Sequence, residues 1–94
     1  MLPEELFRVL SSRLRIEILK LTGARPMSIS EMVSELGKRG LEVKYRESVY
    51  KAAEKLVFAG LVEKYYDSSQ KHIVYVLHRT RIKVDLKSGE ISYS

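Results

Sequence analysis

RESVYKAAEKLVFAGLVEKYY, residues 46–66, is the stretch whose reading decides the fold. Val49, Ala52, Ala53, Leu56 and Val57 recur at three- and four-residue spacing, which places them on one face of a helix. Arg46, Glu47, Ser48, Tyr50, Lys51, Glu54 and Lys55 fall on the outward side. Gly60 closes the helix, and beyond it the period changes from helical to extended. LVEKYY, polar DSSQK (67–71) and HIVYVLHR (72–79) together predict a β-hairpin with a five-residue loop. The spacing thus predicts a helix over about 46–58 that runs directly into a hairpin over 61–78.

Upstream, Ser28-Ile29-Ser30-Glu31 has the spacing of a capping box, in which the serine bonds the N–H of the glutamate and the glutamate reaches back. Met32, Val33 and Leu36 give the helix after it an apolar stripe, and Gly37 or Gly40 ends it. Before that, Pro3, Glu4 and Glu5 suit a first helical turn. Leu6, Phe7, Leu10, Leu14, Ile18, Leu19 and Leu21 continue the helical period. Two consecutive helices, or one bent helix, are predicted from 3 to 22, with Ser11 or Ser12 capping the second piece and Gly23 stopping it. ARPM (24–27) is a loop with room for a very short strand. Downstream, RIKVDL (81–86) alternates strictly, KSG turns, and EISYS (90–94) returns as a last short strand.

Ninety-four residues, 45% of them hydrophobic, fit one folded domain, 1–94. The chain carries 17 Lys and Arg against 12 Asp and Glu, a net charge of +5. The excess is uneven: residues 1–43 hold seven bases and six acids, residues 44–94 ten bases and six acids. A polyanionic partner would therefore meet the second half. There is no cysteine, which excludes disulfides and thiolate metal sites. No apolar run reaches the roughly 18–20 residues that span a bilayer, and no signal-peptide pattern opens the sequence. The expectation is a cytoplasmic protein with no membrane partner.

Three helices followed by a hairpin is the order of the winged helix-turn-helix. The stretch from Val49 to Val62 resembles the recognition helix and wing entry of arsenic-repressor-like and ferric-uptake-regulator-like transcription factors. It shares their valine at the helix start (Val49), their leucine one turn before its end (Leu56) and their closing AGLV (Ala59 to Val62). SSRLRIEILKL is similar to their first helix and MSISEMVSEL to their second, so the likeness covers roughly residues 11–78. Two departures stand out: the turn GKRGLEVKY (37–45) is longer than in arsenic-repressor relatives, and Tyr45 stands where a Ser or Thr would cap the helix. The resemblance implies an α+β fold, a winged helix-turn-helix with a three-helix core, a β-hairpin wing and here an additional C-terminal β-hairpin.

It also implies sequence-specific binding of double-stranded DNA by a transcriptional regulator. The helix over 46–58 would enter the major groove, and the hairpin over 61–78 would lie on the backbone or in the minor groove. The residues expected to meet DNA are Lys44, Arg46, Ser48, Tyr50, Lys51 and Lys55 on the helix and its approach, with Ser69, Gln70 and Lys71 on the wing. Lys38 and Arg39 in the long turn could add phosphate contacts. The plainer reading makes all of these solvated positions on an amphipathic helix and an exposed hairpin tip. Glu47 and Lys51 stand four apart and read as an ion pair. Tyr65, Tyr66 and Tyr75 read as strand packing. The rival function is a winged-helix module that binds protein, or a subunit of a transcription complex, which an apolar patch of Tyr45, Tyr50 and Leu41 would favour.

Both families include metal sensors. In this sequence His72 and His78 are six residues apart in one predicted strand, about 20 Å, too far to share an ion. No metal or cofactor is expected. No phosphate-cradling glycine loop or nucleophile–base pair occurs, so an enzyme is not expected either. Dimerisation would supply two half-sites. Leu2, Leu6 and Leu10, with Phe7, or else edge pairing of the terminal strands, are the candidate homodimer surfaces.

Overall fold

The computed structural model describes residues 12–41, 43, 45–78, 82–84, 87–88 and 91–93. The predicted first helical piece, with Leu2, Leu6, Phe7 and Leu10, lies outside these residues, as does Lys44. In chain order the elements are helices α1 (Arg13–Ala24), α2 (Ile29–Lys38) and α3 (Arg46–Phe58), then strands β1 (Val62–Asp67), β2 (His72–Leu77), β3 (Ile82–Val84) and β4 (Ile91–Tyr93). β1 pairs with β2 and β3 with β4, both antiparallel, as two separate two-stranded sheets. The three-helix core, the hairpin behind it and the additional C-terminal hairpin are those the sequence predicts.

Ser12 caps α1, its hydroxyl accepting from the Arg15 N–H at 3.4 Å. Gly23 does not stop the helix, which runs on to Ala24. Its role is packing: a Cβ there would stand 3.2 Å from the Leu77 side chain, so glycine lets β2 lie close against α1. The capping box at α2 is complete, with the Glu31 N–H donating to Ser28 and the Ser28 N–H donating to the Glu31 carboxylate. α2 and α3 both end in a glycine with φ near +80°, Gly40 (80°) and Gly60 (78°). In each case the next residue donates back to the carbonyl five earlier, Leu41 to Leu36 and Leu61 to Leu56. The left-handed conformation at the helix exit favours glycine because it needs no Cβ there.

The β1–β2 register runs from Val62↔Leu77 to Asp67↔His72, and the His78 N–H donates to the Leu61 carbonyl beyond it. Asp67 is thus a strand residue and the loop has four residues, 68–71, one fewer than predicted. In the ARPM loop Met27 makes a single isolated β-bridge, exchanging both backbone hydrogen bonds with Tyr75 at 2.9 and 2.8 Å. That bridge fastens the α1–α2 connection to the hairpin.

Ile18 and Leu21 of α1, Met32 and Leu36 of α2, Val49, Ala52, Ala53 and Leu56 of α3, and Leu61, Val62 and Tyr75 of the hairpin form one buried core. Two alanines on α3 let its backbone come near the other helices. Of the three tyrosines read as strand packing, only Tyr75 is buried. Tyr65 is 47% exposed and Tyr66 62%.

Candidate nucleic-acid interface

On α3 the buried residues are Val49, Ala52, Ala53 and Leu56, all on one side of the helix. Arg46, Glu47, Ser48, Tyr50, Lys51 and Lys55 are exposed on the rest of its circumference. The sequence therefore sorted these six correctly between core and surface. Lys51 Nζ lies 3.4 Å from Glu47 Oε1, the ion pair expected from their spacing. Arg46 and Lys55 have no ion-pair partner among the described residues. No side chain caps the start of α3, as the residue type at Tyr45 foretold.

Glu54 departs from the prediction that it faces outward. It is partly buried against the hairpin, where Lys64 donates to one carboxylate oxygen at 2.7 Å and the Tyr75 hydroxyl to the other at 2.8 Å. Burial opposes ionisation of Glu54, but the bonds from Lys64 and Tyr75 outweigh it and hold its carboxyl below the usual range. Burial, reinforced by that carboxylate, pushes the Tyr75 phenol well up. The Glu54 hydrogen bond raises the Lys64 ammonium in turn. These bonds tie α3 to both strands of the hairpin. Sequence reasoning missed this because Lys64 and Tyr75 are 10 and 21 residues away, with no local pattern to announce them.

A groove of about 440 Å³ opens between the start of α2, the start of α3 and β2. Ser30, Arg46, Tyr50, His72 and Ile73 are among the residues that line it. Arg46 and Tyr50 therefore face the hairpin side of α3, whereas Glu47 and Lys51 hold the middle of its outward face.

The wing tip is held by Asp67, whose carboxylate accepts from the Ser69 hydroxyl at 2.6 Å and from the Ser69 and Gln70 N–H groups at 2.9 and 3.2 Å. The Ser69 hydroxyl first, then the Gln70 N–H, keep the Asp67 carboxyl below its ordinary value. Gln70 Oε1 lies 2.8 Å from His72 Nε2. Two of the three predicted wing contacts, Ser69 and Gln70, thus have side chains engaged within the loop, while Lys71 is exposed at a φ of 59°. In the long turn, Lys38 pairs with Glu35 at 3.2 Å and Arg39 with Glu17 at 3.3 Å, both at the surface.

Among the described residues no three His, Cys, Asp or Glu side chains converge as metal ligands. His72 meets Gln70, and His78 Nδ1 stands 2.8 Å from Glu63. Among the described residues no helix is long and apolar enough to cross a membrane.

The fold is a winged helix. It is similar to the crystal structure of the ferric uptake regulator (Fur) of Vibrio cholerae, with a TM-score of 0.61 and 21% identity, over 88% of this chain and 66% of that one. That structure is described as revealing a rearrangement of its DNA-binding domains. The ferric uptake regulator of Francisella tularensis, solved with iron, matches with a TM-score of 0.59 and 21% identity over the same shares. The chain thus spans a little under two thirds of the length of either regulator. No family model and no curated protein sequence matches it. The resemblance read from Val49, Leu56 and the AGLV exit is matched at the level of the fold. The iron of the Francisella protein has no fitting donor set among the described residues here, where the two histidines are spent on separate wing contacts.

Proposed function

We propose that this chain binds double-stranded DNA sequence-specifically, as the DNA-binding domain of a transcriptional regulator. α3 enters the major groove and the β1–β2 hairpin lies on the backbone or in the minor groove. The observation that carries this reading is the division of α3 into a fully packed inner face and an uncovered outer face bearing Arg46, Ser48, Tyr50, Lys51 and Lys55. A major groove admits a helix whose inner side is supported and whose outer side offers donors to base edges and phosphates. The fold likeness to two regulators supports the same reading. Lys44, Ser69, Gln70 and Lys71 are assigned to the same duplex, Ser69 and Gln70 through backbone groups or after exchange of their loop bonds. Dimerisation through Leu2, Leu6 and Leu10 or through the terminal strands would give two half-sites.

The test is a fluorescence-anisotropy titration with duplex DNA across a salt series. Each phosphate neutralised contributes about −0.9 to the slope of log K against log salt. Arg46→Ala with Lys51→Ala should weaken binding and flatten that slope while the circular-dichroism spectrum stays unchanged. Wild-type affinity in the double variant would remove the assignment of α3.

One observation favours a protein partner instead: Phe58, at the end of α3, is 93% exposed. The apolar patch that would support that reading does not form in full, because Leu41 is half-buried against the core. An absence of duplex binding even in dilute buffer would turn the assignment to that rival.

A further inference from the structure

We infer that Glu47 and Lys51 together read a C·G base pair, Glu47 accepting from the cytosine amino group and Lys51 donating to guanine. This rests on the proposed DNA binding and goes beyond it, since it names a base pair and the residues that select it.

Three observations lead there. Glu47 and Lys51 occupy the middle of the outward face of α3, opposite Val49, Ala53 and Leu56, where a helix in a groove comes nearest the base edges. Both side chains are largely exposed, at 73% and 70%, so neither is spent on the fold. Their charged atoms stand 3.4 Å apart, an acceptor-only group beside a donor-only group.

That spacing suits a base pair. Cytosine N4 and guanine O6 are joined by a Watson–Crick hydrogen bond and so lie about 3 Å apart. A carboxylate against N4 and an ammonium against O6 place acceptor on donor and donor on acceptor at once. An A·T pair also offers a donor beside an acceptor, but less favourably. Adenine N7, an acceptor, adjoins N6 and repels the carboxylate, while the thymine methyl group crowds O4. Guanine gives Lys51 a second acceptor, N7, and cytosine sets no acceptor beside N4. The pair also limits the cost of a carboxylate near phosphates, because Lys51 neutralises it locally.

The competing account is that Glu47 only stabilises the first turn of α3, as an acid favoured by the helix dipole. The two accounts part in base preference. Duplexes enriched from a randomised library by wild-type protein should share a C·G pair at a fixed position. Glu47→Gln should lose that preference by about ten-fold and gain adenine there, since a carboxamide bonds N6 and N7 together. Glu47→Ala should lose it and gain nothing, and Lys51→Ala should relax guanine at the same pair. Thermal melts would establish that the variants remain folded. A Glu47→Gln motif identical to wild type overturns the inference, including the case in which affinity rises equally for all duplexes, while leaving DNA binding intact. A wild-type protein that enriches no duplex overturns both.

Discussion

α2 and α3 leave the chain in the same way and enter it differently. Each exits through a glycine at positive φ, with a leucine donating back to a leucine carbonyl, Leu41 to Leu36 and Leu61 to Leu56. α2 opens on a complete capping box, and the Arg25 guanidinium adds a 2.6 Å bond to the same Glu31. α3 opens at Tyr45 with no side-chain cap. The charges of α2 are also paired nearby, Glu31 with Arg25 and Glu35 with Lys38. α3 holds Glu54 against the hairpin and leaves Arg46 and Lys55 exposed. α2 is thus completed by its own local sequence. α3 draws its stability from its inner face and its tie to the hairpin, while its outer face carries one exposed ion pair, Glu47 with Lys51.

The largest break in that comparison is Leu56→Ala, which empties a fully buried site in α3 and should cost about 2–5 kcal/mol in urea unfolding. Outer-face changes such as Lys55→Ala should stay within about 0.5 kcal/mol. Ser28→Ala removes half of the α2 box and should cost about 1 kcal/mol. Tyr45→Ser sharpens the contrast from the other side: the cap supplied to α3 is offset by the loss of the Tyr45 side chain, so the net change should be smaller than the loss at Ser28 and should leave the Leu56 effect unchanged.

The smallest effect is in pH. Glu31 is lowered by its bond from Arg25 and then by the Ser28 N–H, and Glu54 is lowered by Lys64 and Tyr75 against the opposing effect of burial. Both folded values lie below the ordinary 4.5, so their contribution is fully present above that pH. It is lost as pH falls through the lowered folded values. Glu54→Gln should flatten part of that acid-side decline in a denaturation series, and an unchanged slope would mean the tie between α3 and the wing is not an ionic one.

Local pattern made much of the fold legible. The Ser28–Glu31 box, the glycine exits, the apolar stripe of α3 and the switch to a two-residue period after Gly60 each depend on residues within one or two turns of one another. The sites that misread are those set by distant contacts. Gly23 looked like a stop because glycine ends helices, yet it answers to Leu77, far later in the chain. Tyr66 looked like strand packing, but it stands exposed, because only tertiary packing decides which strand side chains are covered. Asp67 joined the strand because the register with His72 assigns it there.

By itself the sequence determined which segments are helical or extended, where α2 begins, where α2 and α3 end, and which side of α3 is apolar, since spacing and side-chain chemistry act over a few residues. Only the tertiary structure decided that Glu54 turns inward to Lys64 and Tyr75, that Met27 closes on Tyr75, and that Arg46 and Tyr50 border a groove with His72. Those outcomes depend on where the hairpin packs against the helices, and that position is fixed by burying Val62 and Tyr75 in a core shared by segments far apart in the chain.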